Sequence, residues 1–186
     1  MSRRLDQRER VAHALASHVL RAGLSKTSLR QLADAAGVSD RMLLYYFSSK
    51  SDVLTTVLMR IAADLAARLD AALPEDEPLP PAAMFARAAD LTRGRALGPY
   101  MRLWVEIAAA AGRNDKLYAD AAGEIAAGFL VWIEKRLSTP DAAARKAQAA
   151  MIFAMLDGLV ILSACAKKSA GERARKEMTA ALARQG

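Results

Sequence analysis

The side chains whose types and spacing could do chemistry cluster between Ser28 and Lys50, in the run SLRQLADAAGVSDRMLLYYFSSK. Once Leu43 and Phe47, four residues apart, are taken inward on a helix, Asp40, Arg41, Met42, Tyr45 and Tyr46 are left for solvent or a partner. Arg41 carries a planar fork of donors that fits guanine O6 and N7 in a major groove, or a phosphate. Lys50 falls in the first turn of the next helix, where free backbone amides and the positive dipole end attract phosphate. This is the chemistry of binding. Bond-breaking chemistry has no comparable support: His13 and His18 form no ligand cluster and are assigned structural or exposed places, and no glycine-rich phosphate loop or nucleophile with its own base is present. A single cysteine, Cys165, excludes an internal disulfide and a cysteine-rich metal site. No catalytic residue, metal or cofactor is therefore expected.

The elements that must position these groups are legible around them. Leu29, Leu32, Ala33 and Ala36 recur at i, i+3, i+4 and i+7, one apolar face of a helix. Ser28 followed three residues later by Gln31 is a capping box. Gly37, one step past the stripe, suits the left-handed stop of a sharp turn with Val38 returning to the core, and Ser39 opens a second helix. Two short helices on a glycine turn make a helix-turn-helix, although an ordinary helical hairpin has the same periodicity.

The run Ala36-Gly37-Val38-Ser39, then Leu43, Tyr46-Phe47 and Ser49-Lys50, resembles the N-terminal signature of the TetR/AcrR transcriptional regulators, roughly AGVSxGxLYxYFxSKExL. The resemblance implies an all-α chain of about nine helices. A three-helix DNA-binding domain over residues 1–50 would be joined by a bridging helix to a helical domain over 51–186 that binds ligand and dimerises. It also implies a homodimer that binds a palindromic operator in double-stranded DNA, most simply as a repressor released by a small, largely apolar effector. Thr27, Ser28, Ser39, Asp40, Arg41, Met42, Tyr45, Tyr46 and Lys50 would be the DNA-binding residues. Three positions depart from the signature: Arg41 replaces its glycine, Leu44 replaces the first tyrosine of its YxYF run, and Asp40 stands where a basic residue is frequent. Leu44 removes a phosphate hydrogen bond, so the docking mode should survive while the operator sequence differs from that of typical relatives. The competing reading is a helical ligand-binding protein or enzyme that contains such a hairpin and has no operator.

Charge and composition agree with a globular, DNA-directed chain. At 186 residues and 53% apolar, it is long enough for one core or two small domains. Of its 27 Lys+Arg and 20 Asp+Glu, residues 1–50 hold nine and four, so the basic excess lies with the helix-turn-helix. Arg3, Arg4, Arg8 and Arg10 are expected to give the N-terminus a positive surface, and the run through them carries no apolar signal-peptide core. A reducing cytoplasm fits the cysteine count. Ala149 to Ala166 is apolar except for Asp157, Gly158 and Ser163; an aspartate in mid-span is costly in lipid, so a buried or inter-subunit helix is expected, not a membrane span.

The first helix is placed from about Leu5 to Ala22 on Val11, Leu15 and Val19 with Gly23 as its stop, and the bridging helix on Val53, Val57, Ile61, Leu65 and Leu69. Pro74, Pro78, Pro80 and Pro81 break the chain after it. Further helices are expected over 82–94, 98–111, 115–137, 140–167 and 171–184, with Thr139 capping the fourth and a Ser169/Glu172 capping box on the fifth. Met101, Trp104, Phe129, Trp132, Met151, Met155 and Asp157 are the candidate ligand-binding residues, since Met and aromatic walls with a few polar groups suit an apolar effector. Asp157 and, more weakly, Glu106 are carboxylates in apolar helices that must be paired, protonated or turned to a cavity; Arg102 is one available partner for Asp157. Small residues at Ala143, Ala147, Ala150, Ala154 and Gly158, with Ala174, Met178, Ala181 and Leu182 on the last helix, form the expected dimer surface. Cys165 is either an inert small hydrophobe or a redox trigger.

Overall fold

The computed structural model describes residues 2–184, apart from the side chains at positions 2–4 and 168, so the basic contribution expected from Arg3 and Arg4 lies outside the described residues. Among the described residues the chain is all-α: α1 (Ser2–Ala22), a 3-10 turn (Leu24–Lys26), α2 (Leu29–Ala36), α3 (Asp40–Tyr46), α4 (Lys50–Ala72), α5 (Pro81–Arg93), α6 (Gly98–Ala111), α7 (Lys116–Lys135), α8 (Ala142–Cys165) and α9 (Lys168–Ala183). Packing divides the chain into two units, Met1–Leu65 with Arg102–Ile125, and Ala66–Met101 with Ala126–Gly186. Helices α4, α6 and α7 each contribute residues to both. The units are thus built from interleaved segments, whereas the functional division expected from the sequence has one boundary, after Lys50.

In the first unit the predicted stripes are the core. Val11, Leu15 and Val19 of α1, Leu32 and Ala33 of α2, and Val53 and Val57 of α4 are buried. Helix α1 packs against α2, and α2 against α3. Arg8, expected on a basic surface, is instead a tie inside this unit. Its Nε donates to the Tyr46 carbonyl at 3.2 Å and its Nη2 to Thr56 Oγ1 at 3.2 Å, with Asp52 at 3.6 Å. Its guanidinium also lies 4.8 Å from the centre of the Phe47 ring. Arg10 is hydrogen-bonded to Gln7, and Arg60 pairs with Glu9.

In the second unit, α5 packs against α8 and α9, which pack on each other. Met84 and Phe85 are fully buried among Ile133, Leu137, Ile152 and Leu182. Leu182 therefore belongs to this core and not to an outer surface, while Ala174 and Met178, expected with it at a dimer surface, are partly buried against the core. The proline-rich segment is pinned, since the Leu79 N–H donates to the Arg136 carbonyl (2.8 Å) and the Ser138 N–H to the Leu79 carbonyl (2.9 Å). Two predicted caps are displaced. Asp141, not Thr139, caps α8 by accepting from the Ala144 N–H at 2.7 Å, while the Thr139 hydroxyl donates to Gln148 (2.6 Å). Helix α9 begins before Ser169 with no side-chain cap, and Glu172 instead pairs with Arg93 at 3.3 Å.

Arg136 is the buried charge of this unit, at 4% exposure. Its Nε donates to the Leu73 carbonyl (2.6 Å), Nη1 to the Trp132 carbonyl (3.0 Å) and Nη2 to Asp70 Oδ1 (2.6 Å), and it stacks 4.1 Å from the Trp132 ring centre. The same Asp70 oxygen accepts from Trp132 Nε1 at 2.6 Å. A buried guanidinium is tolerated only when its donors are satisfied, and here the carbonyls of Leu73, just past α4, and of Trp132 on α7 take part of the load. Arg136→Ala is expected to destabilise the protein by about 3 kcal/mol, and Asp70→Asn, at a half-exposed position, by about 1 kcal/mol, read as shifts of the urea midpoint.

Candidate nucleic-acid interface

The turn that presents α3 is built by local chemistry. Ser28 Oγ accepts from the Gln31 N–H at 3.3 Å while the Ser28 N–H donates to Gln31 Oε1 at 3.1 Å, the reciprocal box that starts α2. Gly37 stops it at φ 67°, with the Val38 N–H donating to the Ala33 carbonyl and the Gly37 N–H to the Asp34 carbonyl, both at 3.1 Å. This is the paired closure of a Schellman motif, and the left-handed residue is where glycine is favoured. Ser39 Oγ then accepts from the Met42 N–H at 3.2 Å and opens α3.

Helix α3 buries one side chain completely, Leu43, and Phe47 at its end is buried as well. At 100° per residue Arg41 and Tyr45 point opposite Leu43, with Met42 and Leu44 on the two flanks. The structure brings Ser39, Asp40, Arg41, Met42 and Tyr45 to an exposed face, Tyr45 being 55% exposed, while Tyr46 is half-buried and meets the Tyr45 ring edge-on at 5.5 Å. Lys50 is exposed in the first turn of α4. The amides expected to be free there are partly taken: the Asp52 N–H donates to Ser49 Oγ (3.1 Å) and the Ser48 N–H to the Asp52 carboxylate (2.8 Å). Any phosphate at this end would therefore be held by the Lys50 ammonium more than by the helix terminus.

Thr27 departs from the expected set. Its side chain is buried, its hydroxyl donates to the Leu24 carbonyl at 2.7 Å, and it is hydrogen-bonded to the Tyr118 phenol. Burial pushes the Tyr118 phenol above its ordinary value against the opposing pull of that hydrogen bond, with the Asp115 and Glu106 charges adding to the rise. Ser28 is exposed, but its hydroxyl is engaged in the capping box.

A residue that the sequence did not assign to this module, Glu106 of α6, holds it in place. Glu106 Oε2 accepts from the Leu24 N–H at 2.6 Å, which supplies the cap that Gly23 lacks. Gly23 sits at φ 73°, and a Cβ there would lie 2.6 Å from Glu106 Oε1, so the carboxylate occupies the space that any side chain would need. The carboxylate between Val105 and Ile107 is thereby accounted for, and its placement in an apolar stretch was the available signal. Of the candidate ligand-binding residues, Met101, Phe129, Trp132, Met151, Met155 and Asp157 fall in the second unit and Trp104 in the first. Trp132, Met151 and Met155 pack against the second core, the Trp132 indole N–H being engaged by Asp70; Asp157 is half-buried and not free of partners.

A capped pair of helices that buries Leu43 and exposes Arg41 and Tyr45 is a helix-turn-helix, carried here on a chain that is all-helical among the described residues. Residues 14–57 match the family described as bacterial regulatory proteins, tetR family. The segment is a TetR-family helix-turn-helix, and the chain has the fold of TetR-family transcriptional regulators. A transcriptional regulator from Rhodococcus sp. RHA1 is similar over 96% of each chain at TM-score 0.72 and 24% identity. A TetR-family regulator from Cytophaga hutchinsonii aligns over 98% of this chain and 96% of its own at TM-score 0.75 and 15% identity. The multidrug binding protein EbrR, solved with proflavin, aligns over 95% and 99% at TM-score 0.66 and 22% identity. No curated sequence matches the chain.

Gly23→Ala is expected to cost about 2 kcal/mol in urea unfolding, through left-handed strain plus displacement of Glu106, and more than Gly37→Ala, where a Cβ meets nothing within 4 Å. Equal losses would mean that the carboxylate gives way freely.

Proposed function

We propose that this protein is a ligand-responsive regulator that binds a palindromic operator as a homodimer, most simply as a repressor, and lets go when a small, largely apolar effector binds. The observation that carries the reading is the exposed Arg41 and Tyr45 face of α3, set opposite the buried Leu43 on a capped turn, in a segment that matches a family of bacterial regulators. In this reading residues 1–50 make the DNA-binding domain and 51–186 the regulatory and dimerisation domain, with action in the cytoplasm where its DNA lies. Ser39, Asp40, Arg41, Met42, Tyr45 and Tyr46 approach the major groove, and Lys50 a phosphate.

A homodimer is supported by α8. The helix is long and apolar enough to cross a membrane by length and composition, yet only 17% of its most apolar window is buried. Ala143, Ala147, Ala150, Ala154 and Gly158 are exposed along it and Ile161 is 48% exposed, so a long apolar stripe awaits cover, and small residues let a second copy approach closely. Effector binding is supported by the soft side chains of the second unit, Met101, Phe129, Met151 and Met155, with Asp157 in the same unit, and by relatives of the same fold solved with small molecules, among them proflavin and imidazole in EbrR. An effector that prefers the DNA-free arrangement shifts the population away from DNA by its differential affinity.

Selection of random duplexes by the purified protein is expected to return a two-fold palindrome whose binding falls steeply with salt; sequence-blind binding, or none, would remove the regulator reading. On the selected duplex, Lys50→Ala should weaken all sequences alike and flatten the plot of log affinity against log salt by about one, whereas Arg41→Ala should cost about 1–3 kcal/mol at one guanine and relax the preference there. Equal effects of Arg41→Ala on every sequence would assign that side chain to phosphate.

A further inference from the structure

We propose that the apolar side chains flanking Arg41 on α3 read the C5-methyl groups of thymines, so that thymines at fixed positions of each half-site are part of what defines the operator. The inference rests on the DNA-binding reading and adds to it the chemical feature recognised. Met42 is 40% exposed, Leu44 44% and Tyr45 55%. Half of the large apolar side chains that stand exposed among the described residues thus belong to one helix of seven residues, whose remaining faces carry Asp40, Arg41, the buried Leu43 and the half-buried Tyr46. Scattered exposed hydrophobics need no explanation, but three exposed apolar positions out of four successive residues, on a helix that has already buried its core residue between them, form a patch.

The geometry narrows what the patch can meet. With Leu43 inward, Arg41 and Tyr45 lie at the centre of the outward face, Leu44 100° to one side of Leu43 and Met42 100° to the other. The edge-on contact of Tyr46 with Tyr45, at 5.5 Å, supports the Tyr45 ring from one side. A major groove offers donors, acceptors and one apolar feature, the thymine methyl. Leucine has no hydrogen-bonding group and methionine only a weak acceptor, so of the groups on a base edge the methyl is the one they can bind. Arg41 supplies the polar half of the same face, and a guanine beside thymines satisfies the set.

Deoxyuridine tests this directly, because it pairs as thymine does and presents the same acceptor while lacking only the methyl. Each thymine of the selected operator is replaced by deoxyuridine, one symmetric pair at a time, and affinity is measured for wild type, Met42→Ala and Leu44→Ala. At one or two positions per half-site the wild type should lose about fourfold per methyl, roughly the free energy of one buried methyl group, and the corresponding alanine variant should bind thymine and deoxyuridine duplexes equally. Restoring the methyl as 5-methylcytosine opposite guanine at the same position would return the methyl with a changed edge, which separates methyl contact from acceptor contact. Both substituted side chains are exposed, so the variants should unfold at the wild-type urea midpoint. If every deoxyuridine duplex binds as tightly as its parent, the inference is wrong while operator binding stands. A methyl effect that persists in both alanine variants also overturns it, since the methyl would then act through duplex shape. Failure to select any operator would remove the regulator reading and this inference together.

Discussion

The carboxylate of Glu106, wedged against the Cα of Gly23 and accepting the Leu24 N–H, is the constraint on which the position of the helix-turn-helix depends. It fills the place where α1 ends and the chain must turn toward α2, so a side chain at residue 23 would have to displace it. Immediately after the short turn, the buried Thr27 is hydrogen-bonded to Tyr118, and the next residue, Ser28, is the cap of α2. The start of the DNA-directed module is therefore fastened on both sides of its entry turn by side chains from α6 and α7.

Arginine does three separate jobs here, and burial distinguishes them. Arg136 is almost wholly enclosed, and its donors go to the carbonyls of Leu73 and Trp132 and to the Asp70 carboxylate, so its charge organises backbone at the end of α4 and on α7. Arg8 is partly exposed and ties the end of α3 to α4 by one hydrogen bond to a carbonyl, one to Thr56 and a stacked Phe47. The lever matters for function because the Tyr46 carbonyl belongs to the last residue of α3, so Arg8 fixes the end of the helix whose outer face is left open. Arg41 is exposed on that face. Exchange of Arg8 for lysine would keep the charge and lose the fork, which is why the two residues are not equivalent at a site with several acceptors.

How much of this was legible in the sequence follows from the range of the interactions involved. The capping box at Ser28, the left-handed stop at Gly37 and the cap at Ser39 are each closed by partners within five residues, and all three stand where the sequence put them. The span of α6, Gly98–Ala111, coincides with the expected one because Pro99 and Gly112 punctuate it locally. The residues that were misplaced or left open have distant partners: 38 residues separate Arg8 from Tyr46, 82 separate Leu24 from Glu106, and 63 separate Arg136 from Leu73. No periodicity encodes such pairings. Thr139 illustrates the boundary case, since two plausible caps lie two residues apart and the choice of Asp141 is made when Gln148 accepts from the threonine hydroxyl and Arg145 donates to the Thr139 carbonyl.

The last helices show the same principle at the level of faces. Helix α9 has one apolar face, and the sequence alone does not say whether Met178 and Leu182 meet a partner or the chain itself; burial of Leu182 at 2% exposure decides for the chain. Helix α8 is apolar nearly all round, so the face that meets α5 and α9 leaves a second one behind, at Ala143, Ala147, Ala150, Ala154, Gly158 and Ile161. A helix that is apolar on every side requires cover on every side, and within the second unit that cover is supplied on one. The aspartate at 157, half-buried and engaged beside Gly158, keeps the stripe from being uniformly apolar.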